Sequence, residues 1–295
     1  MQGQTAFPSK LLPITFFLIL LQAGPSFANP PNIPPRLHSS HGCATNLATL
    51  TKFHFSRFTR EKIFDLSSSK SSLKKNALLD FIDSLAIDIE SFRGDVHTSK
   101  ALKEKLRLSE DMLAYLDEVS EESPGAIAKE TARIRGKLSE LWALFEARSP
   151  IATGVYTENI EELLHWFSHR KDLGQQVKLS SLDRTINIKR SFISEIDLLT
   201  YDERDGLVWH EIKSNSGKSM FYELRRDANL TKQQKAARRS TSPRLKQFDE
   251  HRYLINVLRN AGIRIRLNYI FVGETPTELP SLLADYDISM SVLKP

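Results

Sequence analysis

The period of the hydrophobic pattern changes at Ser149-Pro150, and that change limits the fold more than any other feature of the chain. Between residues 74 and 148 apolar side chains recur every three or four positions. Leu78, Leu79, Ile82, Leu85, Ile89 and Phe92 form one run, and Leu102, Leu106, Met112, Leu113, Leu116 and Val119 a second. After the break Ser123-Pro124-Gly125, a third run holds Ile127, Ile134, Leu138, Leu141 and Phe145. Each places one apolar stripe on a helix, and three such helices with short connections predict an antiparallel bundle over 74–148. Such a module serves packing, or the docking of a protein partner. Past Ser149-Pro150 helical and alternating patterns mix. Residues 155–169 read as a helix with Val155, Ile160, Leu163, Leu164 and Phe167 on one side. Strands are expected at Thr185–Phe192, Glu195–Tyr201, Leu207–Lys213 and Ile265–Val272. Between the last two lies a helix from Arg244 to Ala261, opened by the cap Ser242-Pro243 and closed by Gly262. The expectation is an α+β chain: a helical bundle, then a domain over 150–295 with a central mixed sheet.

What precedes residue 74 reads differently. Residues 1–28 have the form of a secretory signal peptide: Lys10, an apolar run from Leu11 to Ala23, then Ser26-Phe27-Ala28 with small residues at the cleavage positions. Residues 29–73 read as a Pro- and Ser-rich tail and linker, since Pro30, Pro31, Pro34 and Pro35 favour extended chain and Ser67–Ser72 suggests a loop. No later segment is long and apolar enough to cross a bilayer, so the expected location is secreted or periplasmic. Composition narrows the chemistry. Of 295 residues 40% are hydrophobic, enough to build a core and too many for a disordered chain. Cys43 is the single cysteine, which excludes a disulfide scaffold and any multi-thiolate zinc site.

The residues that carry chemistry lie on two neighbouring strands. One reads Glu195-Ile196-Asp197-Leu198-Leu199 and the other Trp209-His210-Glu211-Ile212-Lys213, joined by the polar turn Asp202-Glu203-Arg204-Asp205-Gly206. Side chains alternate along a strand, so Glu195 shares a face with Asp197, and Glu211 with Lys213. A hairpin then brings Asp197, Glu211 and Lys213 toward one point. Two carboxylates make a hard-oxygen site for Mg²⁺, with water filling the remaining positions. A lysine beside it can orient water or offset charge on a phosphate. The alternative is three polar residues on a solvated strand face. The Ile, Leu and Val around them, typical of interior strands, favour a site. His210 falls on the opposite face from Glu211, and His165 and His169 lie four apart on a helix without the rest of a zinc-peptidase pattern.

Glu195-Ile-Asp197-Leu-Leu followed by Glu211-Ile-Lys213 resembles the PD-(D/E)xK nuclease superfamily, which includes restriction endonucleases and Holliday-junction resolvases. The resemblance covers residues 150–272. It implies a restriction-endonuclease-like fold for this half, with Asp197 and Glu211 as ligands of Mg²⁺ or Mn²⁺ and Lys213 completing the catalytic core. It also implies a glutamate on the helix before the sheet. Gly154–Glu158 resembles that segment, which makes Glu158 the fourth catalytic candidate and Glu161 and Glu162 its rivals. Ser194 stands where many relatives have glycine, and a long basic insertion follows the Glu-x-Lys strand.

That insertion has its own message. From Lys218 to Arg252 ten Lys and Arg face four Asp and Glu, a surplus of six beside the acidic pair. Arg225, Arg226, Lys232, Lys235, Arg238, Arg239, Arg244 and Lys246, with Gln247, are candidate contacts to a nucleic-acid backbone. The resulting expectation is an exported, metal-dependent endonuclease acting on DNA. The competing reading is a non-catalytic nucleic-acid-binding protein, or a helical envelope interaction protein, that keeps a nuclease-like fold.

Overall fold

A computed structural model describes residues 53–68, 81, 83–88, 90–91, 124–170, 173 and 191–295. Its centre is a five-stranded mixed sheet in the order β1-β2-β3-β4-β5: β1 (Pro150–Asn159), β2 (Ser191–Asp202), β3 (Gly206–Lys213), β4 (Ile265–Val272) and β5 (Ile288–Leu293). β1, β2 and β3 run antiparallel, whereas β4 and β5 continue parallel to β3. A parallel step needs a crossover. Three helices supply it between β3 and β4: α4 (Lys218–Ala228), α5 (Lys232–Thr241) and α6 (Pro243–Asn260). Further helices are α1 (Arg57–Ser68), α2 (Pro124–Glu146), α3 (Ile160–His169) and α7 (Leu279–Ala284), and residues 81, 83–88 and 90–91 are helical as well. None of these helices is long and apolar enough to cross a membrane.

Alternation along β3 and β4 divides the core in two. Leu207, Trp209, Leu267, Tyr269 and Phe271 face one side, where α3, α4, α6 and α7 deliver Leu164, Phe221, Phe248 and Leu283. Ile212, Ile270 and Val272 face the other, against Phe55 and Ile63 of the α1 region and Leu138, Leu141, Trp142 and Phe145 of α2. Every strand that is apolar on both faces must be covered twice, and this chain covers it with helices on each side.

That arrangement alters four expectations. The third helical run is found as α2, and its Leu138, Leu141 and Phe145 pack in one cluster with sheet residues Ile212, Ile270 and Val272 as well as with Phe81 and Leu85 from the stretch of the first run. The second run, 102–119, lies outside the described residues. Residues 53–68, read as tail and linker, contribute a helix with Ile63 on its buried side, and Phe55 just before it is buried too. Residues 150–159, read in part as the start of a helix, form β1, rich in β-branched Ile151, Thr153, Val155 and Thr157. The helix starts only at Ile160, where Asn159 accepts the Glu162 amide at 2.8 Å as its cap. The basic segment is two further helices rather than an open insertion. Residues 185–190 of the first expected strand lie outside the described residues. The signal-like residues 1–28 do too, together with Cys43.

Where the sequence placed a hairpin turn, one exists. Asp202 Oδ1 accepts the amides of Arg204 and Asp205 at 2.9 and 3.1 Å, and Gly206 follows at φ 79°. A β-carbon at Gly206 would stand 2.6 Å from the Arg264 carbonyl oxygen. That carbonyl is needed where it is, because it accepts the Leu207 amide at 2.9 Å. Gly206→Ala combines left-handed strain with a backbone clash and should lower unfolding free energy by about 1–3 kcal/mol. Urea denaturation followed by circular dichroism checks this, and an unchanged midpoint contradicts the packing described.

Candidate functional site

The β2–β3 ladder runs from the pair Asp202–Gly206 to the pair Leu198–His210 and stops there. One residue further, the strands have parted. The Ile212 amide donates to Asp197 Oδ2 at 2.7 Å, so a carboxylate occupies the place of a main-chain carbonyl. Strict alternation also fails at this point: Ile196 and Leu199 enter the same core while Leu198 enters the other. On β1 the residue level with Asp197 is Gly154, at φ 63°. The site therefore sits where three antiparallel strands lose their regularity, a common setting for re-aimed side chains.

Glu211 lies on the face of β3 covered by α6 and is 4% exposed. Its Oε1 accepts from Lys213 Nζ at 2.5 Å and from Gln247 Nε2 at 3.2 Å. Gln247 Oε1 in turn accepts from Lys213 at 2.9 Å, closing a three-membered ring of side chains between β3 and α6. Glu211 Oε2 faces His251 Nε2 at 3.6 Å, and the other ring nitrogen of His251 lies 3.2 Å from the Tyr269 hydroxyl. Burial holds His251 below its ordinary pKa, with Glu211 pulling partly the other way. Burial and then the charge of Glu211 push the Tyr269 hydroxyl well above its ordinary value.

The Asp197 carboxyl is pushed up to about 8, by burial first and then by the charge of Glu211, against the favourable Ile212 amide. Two further acids, Glu140 of α2 and Glu195, push in the same direction. Burial lowers the Lys137 ammonium, but Glu140, Glu195 and Asp197 outweigh it and leave it raised. Asp197 and Glu211 thus form a desolvated acidic pair that a divalent cation would relieve. Among the described residues no three His, Cys, Asp or Glu side chains converge to hold a metal ion by themselves. A cation here would rest on the two carboxylates and complete its shell with water and substrate oxygens, which suits Mg²⁺ or Mn²⁺ better than zinc.

The structure brings Asp197, Glu211 and Lys213 together and adds Gln247, which the sequence reading placed among backbone contacts. Glu158 is not on the helix expected to carry it. That residue lies on β1, in an irregularity between Thr157 and Asn159, about 13 Å along the strand from Gly154. The acid on a preceding helix that acts on Asp197 is Glu140, one turn from Lys137 on α2. Sequence reasoning missed Glu140, Lys137, His251 and Tyr269 because nothing in their spacing links them to the strand pair.

Of the basic candidates, Arg238 and Arg239 are engaged internally. Arg238 pairs with Glu223, and Arg239 bridges Asp227 and Asp249 at 2.5 Å each. These two staple α5 to α4 and α6, a positioning role that replaces the free phosphate contact expected of them. Arg225, Arg226, Lys232, Arg244 and Lys246 are exposed, and Lys235 half-exposed.

His210 is structural, as its face suggested. Asn268 donates to Nδ1 at 3.0 Å, so Nε2–H donates to Thr200 Oγ1 at 2.8 Å. Burial, and then Arg266, lower it to about 4. His165 and His169 stack at 4.1 Å on the exposed side of α3. No family model matches the chain, and neither the curated proteins nor the solved structures yield a match.

The acidic pair has a consequence for stability. Asp197 ionises near 3.8 when unfolded and near 8 when folded, so folding retains a proton between these values. Its contribution is fully present below about pH 4 and is lost as pH rises through 8. Asp197→Asn should leave the unfolding midpoint little changed at pH 4 and raise it by several degrees at pH 8. Calorimetry across that range checks the sign, and a variant less stable than wild type at pH 8 refutes it.

Proposed function

We propose that this chain is a metal-dependent nuclease that hydrolyses phosphodiester bonds of DNA, built on a restriction-endonuclease-like core. One observation carries the reading: the Asp197 carboxylate fills the gap where β2 and β3 part, beside buried Glu211 and the Lys213–Gln247 pair. The element order supports it, since the Glu-Ile-Asp strand, a hairpin, the Glu-x-Lys strand and then helix and strand follow one another as the resemblance implies.

Asp197 and Glu211 would hold Mg²⁺ or Mn²⁺, which supplies Lewis acidity toward a phosphate oxygen and lowers the pKa of bound water. Every other part belongs to the protein. Gln247 fixes Lys213 by accepting one of its protons and fixes Glu211 by donating to it. Lys213 keeps a positive charge at the partly exposed rim of the site, where it offsets charge developing on the phosphate and orients water for in-line attack. His251, held neutral by burial, and Tyr269 close the floor behind Glu211 and keep bulk water from that side. Glu140 with Lys137 takes the supporting acidic role first sought at Glu158. The signal-like start of the sequence supports export, and with it action on DNA outside the cytoplasm.

Purified protein incubated with plasmid and linear DNA should cut in Mg²⁺ or Mn²⁺ and stop in EDTA. Asp197→Ala and Glu211→Ala should abolish cutting, and Lys213→Ala should slow it about 10²–10³-fold. A second readout needs no turnover. Mn²⁺ should raise the wild-type thermal midpoint at pH 8 and leave that of Asp197→Asn unmoved. Cutting that survives EDTA or Asp197→Ala defeats the mechanism, and DNA binding without any cutting favours the non-catalytic reading.

A further inference from the structure

The helix that leaves the site exposes a side chain that a purely electrostatic DNA grip does not need. α4 begins five residues after Lys213 and buries Met220, Phe221 and Leu224 against the sheet. On its outer surface Tyr222 is 66% exposed, more than Phe58, Tyr156 or Tyr201. Lys218, Arg225 and Arg226 stand four before, three after and four after it on the same side of the helix, and the Arg225 guanidinium lies 5.7 Å from the centroid of the neighbouring Phe221 ring. The ring is braced edge-on by Phe221, at 5.4 Å between centroids.

The same face borders an open cleft of about 680 Å³ between α4, the end of α5 and the first turn of α6. Arg226, Arg238, Thr241, Ser242 and Arg244 line it, with Glu223 as the one acid. Glu223 is already taken by Arg238. The exposed guanidinium groups of Arg226 and Arg244 therefore leave the cleft positive. Arg244 lies one turn before Gln247 on α6, about 4.5 Å along its axis, and Gln247 holds Lys213. The positive cleft and the acidic pair are thus joined through one turn of α6, from Arg244 to Gln247.

We infer that this surface binds an unpaired strand, with Tyr222 stacking on a base and Arg226 and Arg244 holding the adjoining phosphates, so that the substrate enters the site single-stranded. Charge complementarity makes the occupant a polyanion. The aromatic group selects among polyanions, because a base in a duplex has both faces covered by its neighbours whereas an unpaired base offers one to stack. Arginines alone would serve duplex and single strand alike. The inference rests on the nuclease reading for its purpose, but not for its test.

The test is fluorescence anisotropy of the full chain in EDTA, which prevents turnover, with a labelled oligo(dT) of about 15 nucleotides and a duplex of equal length. Wild type should bind the single strand about tenfold more tightly than the duplex. Tyr222→Ala should remove that margin while duplex affinity stays within about twofold, and Tyr222→Trp should restore it. Arg226→Ala and Arg244→Ala should weaken both ligands and each lower the salt slope by about one. Circular dichroism confirms that each variant is folded. An unchanged margin in Tyr222→Ala overturns the inference, as does equal binding of polyglutamate, which would mark the cleft as a site for an acidic protein. If the margin depends on Tyr222 and no DNA is cut in Mg²⁺, the nuclease reading fails alone. If DNA is cut and Tyr222→Ala changes nothing, only this inference fails.

Discussion

The hydrogen bond from the Ile212 amide to Asp197 is the contact on which the site depends. Where β2 and β3 separate, β3 is left with a main-chain donor facing a gap. Water would normally fill such a gap, but here a carboxylate does. The exchange keeps the sheet satisfied while burying a negative group next to Glu211. That combination costs stability at neutral pH, and a protein that maximised stability alone would not keep it. A buried acidic pair flanked by a lysine is what a cation and a phosphate would compensate, and the strain is therefore informative about function.

Around that point the rest of the molecule behaves as scaffold. Two apolar layers clamp the sheet, so β3 and β4 hold Glu211, Lys213 and Tyr269 rigidly with respect to α6. α6 returns Gln247 and His251 to the same spot. The arginines of α5 do not reach outward. Through Asp227, Asp249 and Glu223 they lock three helices into one block, and exposed Arg226 and Arg244 are left lining the cleft between those helices.

Some of this was legible from residue order. β3 and β4 are rich in Ile, Leu and Val; β4 was found within the limits read from the sequence, and β3 one residue longer, from Gly206. The cap Ser242-Pro243 fixed the start of α6, because a side-chain oxygen followed by a residue without an amide suits only that position. β1 was misread since Val155 and Ile160 fit a helical stripe as well as a strand followed by a helix. The cap at Asn159 separates these readings only when its partner, Glu162, is in view. Glu158 followed that error onto the wrong element.

By itself, the sequence determined what is local and periodic: the strand pair, the turn at Asp202–Gly206, the crossover helix, and the clustering of Asp197, Glu211 and Lys213 that adjacent strands impose. Tertiary structure alone decided which acid on a helix acts on the Asp197 charge, which glutamine holds Lys213, and which arginines are occupied. Two of those choices join residues 34 and 57 positions apart, Lys213 with Gln247 and Glu140 with Asp197, and the arginine pairs span 10 to 15 positions. No hydrophobic period spans such distances. They are fixed by how helices settle on the two faces of a sheet, where packing selects partners that spacing along the chain does not encode.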